Sequence, residues 1–179
     1  MAITLLTGPV ASGKSRLAAE LAGQWQGPVD LVVTAEGRDE EMRSRIERHR
    51  AERPASWRVH EEPIDLAGAI AAVPSDAFAI VDCLTLWVSN RLGAGDQGDR
   101  VLDLAVAAAD VAAARTAPTV VVTNEVGWGI VPVNDLARAY RDLLGRVNGA
   151  FADRAGAAWL VVAGRAIGLP RLAHGDLLA

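Results

Sequence analysis

Gly8-Pro9-Val10-Ala11-Ser12-Gly13-Lys14-Ser15 is the stretch on which the fold turns. It fits G-x-x-x-x-G-K-[ST], follows the apolar run Ile3–Thr7 and opens a segment of helical period over Gly13–Ala22. Strand, glycine loop and helix in that order form a phosphate cradle. Gly8 and Gly13 let backbone N–H groups wrap a phosphate chain, Lys14 reaches the outer phosphates and Ser15 offers a hydroxyl to Mg2+. The positive end of the helix adds to the attraction. The alternative is a glycine turn with no ligand. Of the 18 basic residues, Lys14 is the sole lysine. In a chain that otherwise uses arginine, this points to a need for a compact, rotatable ammonium at that position.

Working outward, apolar runs of strand length recur at Val29–Thr34, Trp57–His60, Phe78–Val81, Thr119–Thr123 and Trp159–Val162. Helical candidates lie between them at Asp39–Glu52, Asp65–Ala71, Leu84–Arg91, Asp99–Arg115 and Asn134–Ala155, with an exposed glycine loop at Gly93–Gly98. Strands alternating with helices predict an α/β fold of the P-loop NTPase (RecA-like) type. Its sheet should be mostly parallel, with helices on both faces, and residues 1–179 should form a single nucleotide-binding domain. Ligands of such sheets sit at the carboxyl ends of the strands. Ala77-Phe78-Ala79-Ile80-Val81-Asp82 ends in an acid at such a position. Asp82 is therefore the carboxylate partner of Ser15 at a metal, the cap of the helix beginning near Leu84, or both at once.

Composition narrows the partners. The chain is 51% hydrophobic and 22% charged, with a net charge of −4, values that exclude disorder and offer no general attraction to nucleic acid or anionic membrane. No apolar run is long enough to span a bilayer, because Asp103 and Asp110 interrupt the alanine-rich stretch. Met1–Thr7 lacks the features of a signal peptide, so the start reads as mature protein. Cys83, the single cysteine, suits a reducing, cytoplasmic setting.

Two further constellations stand out. In the Asp39–Glu52 segment His49 lies among Arg45, Arg48, Arg50 and Arg53. Surrounding positive charge keeps an imidazole neutral, the nucleophilic form, and the same arginines suit a nucleotide phosphate. Catalysis at His49 and a lid that only clamps phosphate are equally compatible with the residues. His60 and His174 lack such surroundings, and the five tryptophans could stack on a ligand but read as packing, so none is assigned to the site. After the fifth strand comes Asn124-Glu125-Val126-Gly127-Trp128-Gly129-Ile130-Val131-Pro132. An amide, a carboxylate and two glycines there suit substrate or metal recognition, or else a tight turn with Glu125 in solvent. The absence of Asn-Lys-x-Asp at this point argues against a GTPase switch.

Taken together, Gly8–Ser15, the charged helix from Glu40 through His49 to Arg53-Pro54, Asp82-Cys83-Leu84-Thr85 and Thr123–Pro132 resemble the bifunctional adenosylcobinamide kinase/adenosylcobinamide-phosphate guanylyltransferase family of cobalamin synthesis. The resemblance extends from Ile3 to about Gly164. It implies phosphorylation of a corrinoid alcohol by ATP or GTP, then transfer of GMP from GTP through a guanylylated histidine. That histidine matches His49. The family's nucleotide contacts match Gly8, Pro9, Val10, Ala11, Ser12, Gly13, Lys14 and Ser15 in the loop, Val33, Thr34 and Ala35, Arg50, Ala51, Glu52 and Arg53, then Glu61 and Asp82. Ser15 and Asp82 would hold Mg2+, and the assembly implied is a cytoplasmic homotrimer. The family loop usually reads Gly-Gly-Ala-Arg-Ser-Gly-Lys-Ser. Here Pro9, Val10 and Ala11 replace its second to fourth residues, and the loop arginine is missing. A plain small-molecule P-loop kinase and a nucleotide-dependent switch are the competing readings.

Overall fold

Seven strands join in one sheet in the computed structural model of the chain, which describes residues 3–37, 40, 43, 44, 47, 50 and 53–171. In chain order the elements are β1 (Ile3–Thr7), α1 (Lys14–Gly23), β2 (Val29–Val33), β3 (Arg58–Glu61), α2 (Leu66–Ala72) and β4 (Phe78–Asp82), then α3 (Leu84–Gly93), α4 (Gly98–Ala113), β5 (Thr119–Val122), α5 (Asp135–Ala152), β6 (Ala157–Val162) and β7 (Arg165–Gly168). The strand order is β3-β2-β4-β5-β1-β6-β7, parallel everywhere except the antiparallel β6–β7 pair. This is the mostly parallel α/β sheet expected from the alternation of strands and helices. β1 lies between β5 and β6, so the glycine loop leaves the sheet where chain order reverses.

Most boundaries agree with the sequence reading to within one or two residues. The third strand begins at Arg58 rather than Trp57, and the fourth extends to include Asp82. The glycine loop is shorter than expected, because Gly93 still belongs to α3 and Gly98 already opens α4. β7 was not legible as a strand: its four residues, Arg-Ala-Ile-Gly, are all exposed and carry no apolar run. The chain reverses into it at Ala163 (φ 51°) and Gly164 (φ 74°). The helix expected at Asp39–Glu52 falls partly outside the described residues; residues 40, 43, 44, 47 and 50 have helical backbone.

Period-two alternation sorts the strands' side chains onto two faces. Ile3, Leu5, Val32, Val81 and Val121 point to one face, where α2, α3, α4 and α5 bury them beneath Trp87, Leu144 and Phe151. Leu6, Leu31, Ile80 and Val122 point to the other, packed with Ala18 and Ala22 of α1. Caps fix the helix starts: Asp65 accepts from the Gly68 N–H (3.0 Å) and Asn134 from the Ala137 N–H (3.0 Å). A buried charge closes the β3 edge. Asp30, fully buried in β2, accepts from Arg58 (2.7 and 3.1 Å) and lies 2.6 Å from His60 Nε2, so His60 serves to clip β3 to β2.

Candidate active site

The glycine loop takes its shape from close backbone approach. Gly8 has φ +142°, and a Cβ there would lie 2.2 Å from the Val161 carbonyl oxygen, so no other residue fits without movement of β6. Gly13 (φ 101°) turns the chain into α1 and holds its N-cap position without a side-chain hydrogen bond, leaving the first N–H groups of the helix to a ligand. Lys14 is buried along its stem. Its Nζ donates to the carbonyl oxygens of Gly8 (2.9 Å) and Pro9 (2.6 Å) and to Ser12 Oγ (3.3 Å). The ammonium therefore rests inside the loop whose phosphates it is suited to meet.

A cavity of about 610 Å³ opens beside this loop on the α1 side of the sheet. Val10 through Arg16 form one wall; Asp82, Cys83 and Asn124 rim it, Leu31, Ile80 and Val122 form an apolar floor, and Arg53 and Trp57 complete it. Ser15 and Asp82 thus share one cavity. Asp82 does not cap α3, whose cap position belongs to Cys83 with no side-chain bond. That removes the capping alternative. Burial and then the neighbouring charge of Asp82 push the Cys83 thiol up to about 11, which keeps it neutral at physiological pH. Thr34 fixes the main chain at this point, donating to the Cys83 carbonyl (2.6 Å) while its hydroxyl accepts from the Cys83 N–H (3.0 Å).

Glu125 is not in open solvent. Its Oε1 accepts from Thr7 Oγ1 (2.7 Å) and Asn148 Nδ2 (3.2 Å), and its N–H donates to the Gly8 carbonyl (3.1 Å). The chain does turn at Gly127–Trp128, as the alternative reading had it, but the Glu125 carboxylate is half-buried and hydrogen-bonded rather than left in solvent.

The structure does not bring every expected contact to the cavity. Val33 and Thr34 are buried, Ala35 is half-buried, and none of the three lines it. Glu61 is exposed and pairs with Arg50. His49, Arg45, Arg48, Ala51, Glu52 and His174 lie outside the described residues. Trp57 packs against the core cluster of the α1 face, as read from sequence, and also lines the cavity, the ligand-stacking role that the sequence offered as its alternative.

A glycine loop at the carboxyl end of a central parallel strand, with a carboxylate ending the strand two places away and a cavity joining them, defines a P-loop nucleotide-binding α/β protein. Comparison with known proteins narrows this class. The family model for cobinamide kinase / cobinamide phosphate guanyltransferase matches residues 4–169, and the chain belongs to that family. The bifunctional adenosylcobalamin biosynthesis protein CobP of Pseudomonas aeruginosa is 40% identical over 164 residues, covering 89% of this chain and 92% of that one. The proteins named CobU, with the same description, from Salmonella typhimurium and Escherichia coli are 40% and 39% identical. Each match covers 89% of this chain and 95% of the relative.

Proposed function

We propose that this chain phosphorylates adenosylcobinamide with a nucleoside triphosphate and then, through a covalent GMP adduct on His49, converts the product to adenosylcobinamide-GDP. The observation that carries the reading is the shared cavity. It joins Lys14, Ser15 and Asp82 to Arg53, four residues beyond His49 in the same charged segment. In the kinase step Lys14 and the loop N–H groups hold the outer phosphates. In the guanylyl step neutral His49 attacks the α-phosphorus, pyrophosphate leaves toward Lys14, and the resulting P–N bond passes GMP to the phosphorylated corrinoid.

Ser15 and Asp82 offer a hydroxyl and a carboxylate, hard oxygen donors suited to Mg2+ that is also held by nucleotide phosphates. No group of three His, Cys, Asp or Glu side chains able to hold a metal occurs among the described residues. Mg2+, when bound, supplies charge neutralisation at the phosphates. Among the described residues no helix is long and apolar enough to cross a membrane. Trp159, Val162, Ile167 and Leu169 are exposed along the β6–β7 edge and favour self-association, and the family resemblance implies that the assembly is a homotrimer. Light scattering should give three times the chain mass; a monomer refutes that assembly.

GTP labelled at the α-phosphate should label the protein, with an adduct labile to acid and stable to base. His49→Asn should lose the label while still binding GTP. A persisting label refutes His49, and an unlabelled parent protein with GTP bound points instead to a plain kinase.

A further inference from the structure

We infer that Glu125 is the catalytic base of the phosphoryl-transfer step, taking the proton of the acceptor alcohol. The inference rests on the kinase reading above and adds to it a residue that neither nucleotide binding nor His49 chemistry uses.

Three observations converge. The first is proximity to the phosphate loop. The Gly8 carbonyl accepts from both Glu125 N–H (3.1 Å) and Lys14 Nζ (2.9 Å), so one carbonyl group ties Glu125 to the cation of the outer phosphates. The second is orientation. Thr7 Oγ1 and Asn148 Nδ2 both bond Oε1, and Asn148 is itself fixed by Thr123 Oγ1, which donates to its Oδ1 at 2.7 Å, and by its own donation to the Asn124 carbonyl at 3.1 Å. A carboxylate has about four acceptor sites on its two oxygens, so a held Oε1 leaves Oε2 with the capacity to take an alcohol. A base fixed by surrounding hydrogen bonds needs little reorganisation when substrate arrives.

The third is the side of the sheet. Asp82 follows Phe78 and Ile80 on the α1 face, where the nucleotide cavity opens. Thr7 follows Ile3 and Leu5, and Thr123 follows Val121, on the opposite face. The carboxylate suited to metal and the carboxylate of Glu125 thus flank the loop from two sides. In-line transfer needs this separation, because the nucleophile must approach opposite the departing nucleoside diphosphate. Tyr140, whose hydroxyl donates to the Thr85 carbonyl (3.1 Å), is unsuited to the role, because burial pushes it up to about 12 and keeps it protonated.

In the step itself, the alcohol oxygen bonds to the γ-phosphorus as its proton passes to Glu125 Oε2. The bond from that phosphorus to the β,γ-bridging oxygen breaks, and its electron pair leaves on the nucleoside diphosphate. Glu125 then returns the proton to solvent.

Glu125→Gln keeps a carbonyl oxygen for Thr7 and Asn148 but removes the base. With γ-labelled GTP and adenosylcobinamide, its kinase kcat should fall about 100-fold or more with KM for GTP unchanged. Self-labelling by α-labelled GTP, and GMP transfer to supplied adenosylcobinamide phosphate, should stay within about twofold of the parent protein. Kinase activity within about threefold of the parent overturns the assignment, as does joint loss of kinase and labelling in a folded variant, which would make Glu125 a nucleotide-binding group. If Glu125→Gln does not fold, Glu125→Asp takes its place: it keeps the acid one methylene short and should lower kinase kcat at least about tenfold with labelling intact. An Asp variant that keeps full kinase activity overturns the assignment equally. A parent protein that labels itself but phosphorylates no corrinoid overturns the kinase reading and this inference together, whereas an unaffected Glu125→Gln overturns only the latter.

Discussion

The two faces of the sheet are built for different tasks. Among the described residues four helices cover one face and bury a cluster that includes Trp87, Leu144 and Phe151. On the other, the described cover is α1 with the small side chains of Ala18 and Ala22, and a cavity of about 610 Å³ remains over Leu31, Ile80 and Val122. Both faces carry apolar residues of similar kind, so the difference lies in what packs on them. A close-packed face has no room for a ligand, and its side chains contribute to stability. A thinly covered face contributes less to stability and leaves apolar floor for a ligand to occupy.

Two tryptophans break or sharpen this contrast, because the same residue type stands on each side. Trp87 is 1% exposed and its Nε1 donates to the Ile64 carbonyl (2.8 Å). Trp87→Ala should cost about 3–5 kcal/mol in denaturant unfolding, through a large cavity and an unpaired carbonyl. Trp57 is half-buried and lines the ligand cavity. Trp57→Ala should cost less than about 1 kcal/mol of stability but weaken GTP binding about tenfold in calorimetry, through lost aromatic contact. Equal stability losses in the two variants would show that the faces do not differ as described.

How far the sequence disclosed this depends on the range of the interactions. The loop Gly8–Ser15 was legible because its chemistry is local: glycines, lysine and serine act within one turn of chain. Asp82 was legible because a short apolar run ends in it. The alternation of elements indicated a parallel sheet, but not how unevenly its faces would be covered, since that depends on which helices share a side. Glu125 was visible as a carboxylate after a strand, yet its partner Thr7 is 118 positions away, and only strand order brings them together. The contacts Val33–Ala35 and Glu61 came from family resemblance alone, and in this structure none of them lines the cavity.

The smallest expected effect probes the boundary between the two faces, where Cys83 begins α3 and also lines the cavity. Its thiol is pushed from 9.0 up to about 11, first by burial and then by the charge of Asp82. A raised thiol pKa means that the folded chain holds this proton where the unfolded chain has lost it. The contribution to stability is therefore complete below pH 9 and is lost as pH rises toward 11. Tyr140, pushed from 10.0 up to about 12, acts with the same sign but only from pH 10 upward. Between pH 9 and 10 the decline from these two groups belongs mainly to Cys83, and its slope is at most about 1.4 kcal/mol per pH unit, the limit for one proton. Cys83→Ala should flatten that part of a stability–pH curve measured by urea unfolding, while leaving the decline above pH 10 in place. If the slope between pH 9 and 10 is unchanged in the variant, the thiol titrates in the folded protein as it does in the unfolded chain. The rim of the cavity would then be as well solvated as open surface, and the sheet's two faces would not meet in a dry boundary at this residue.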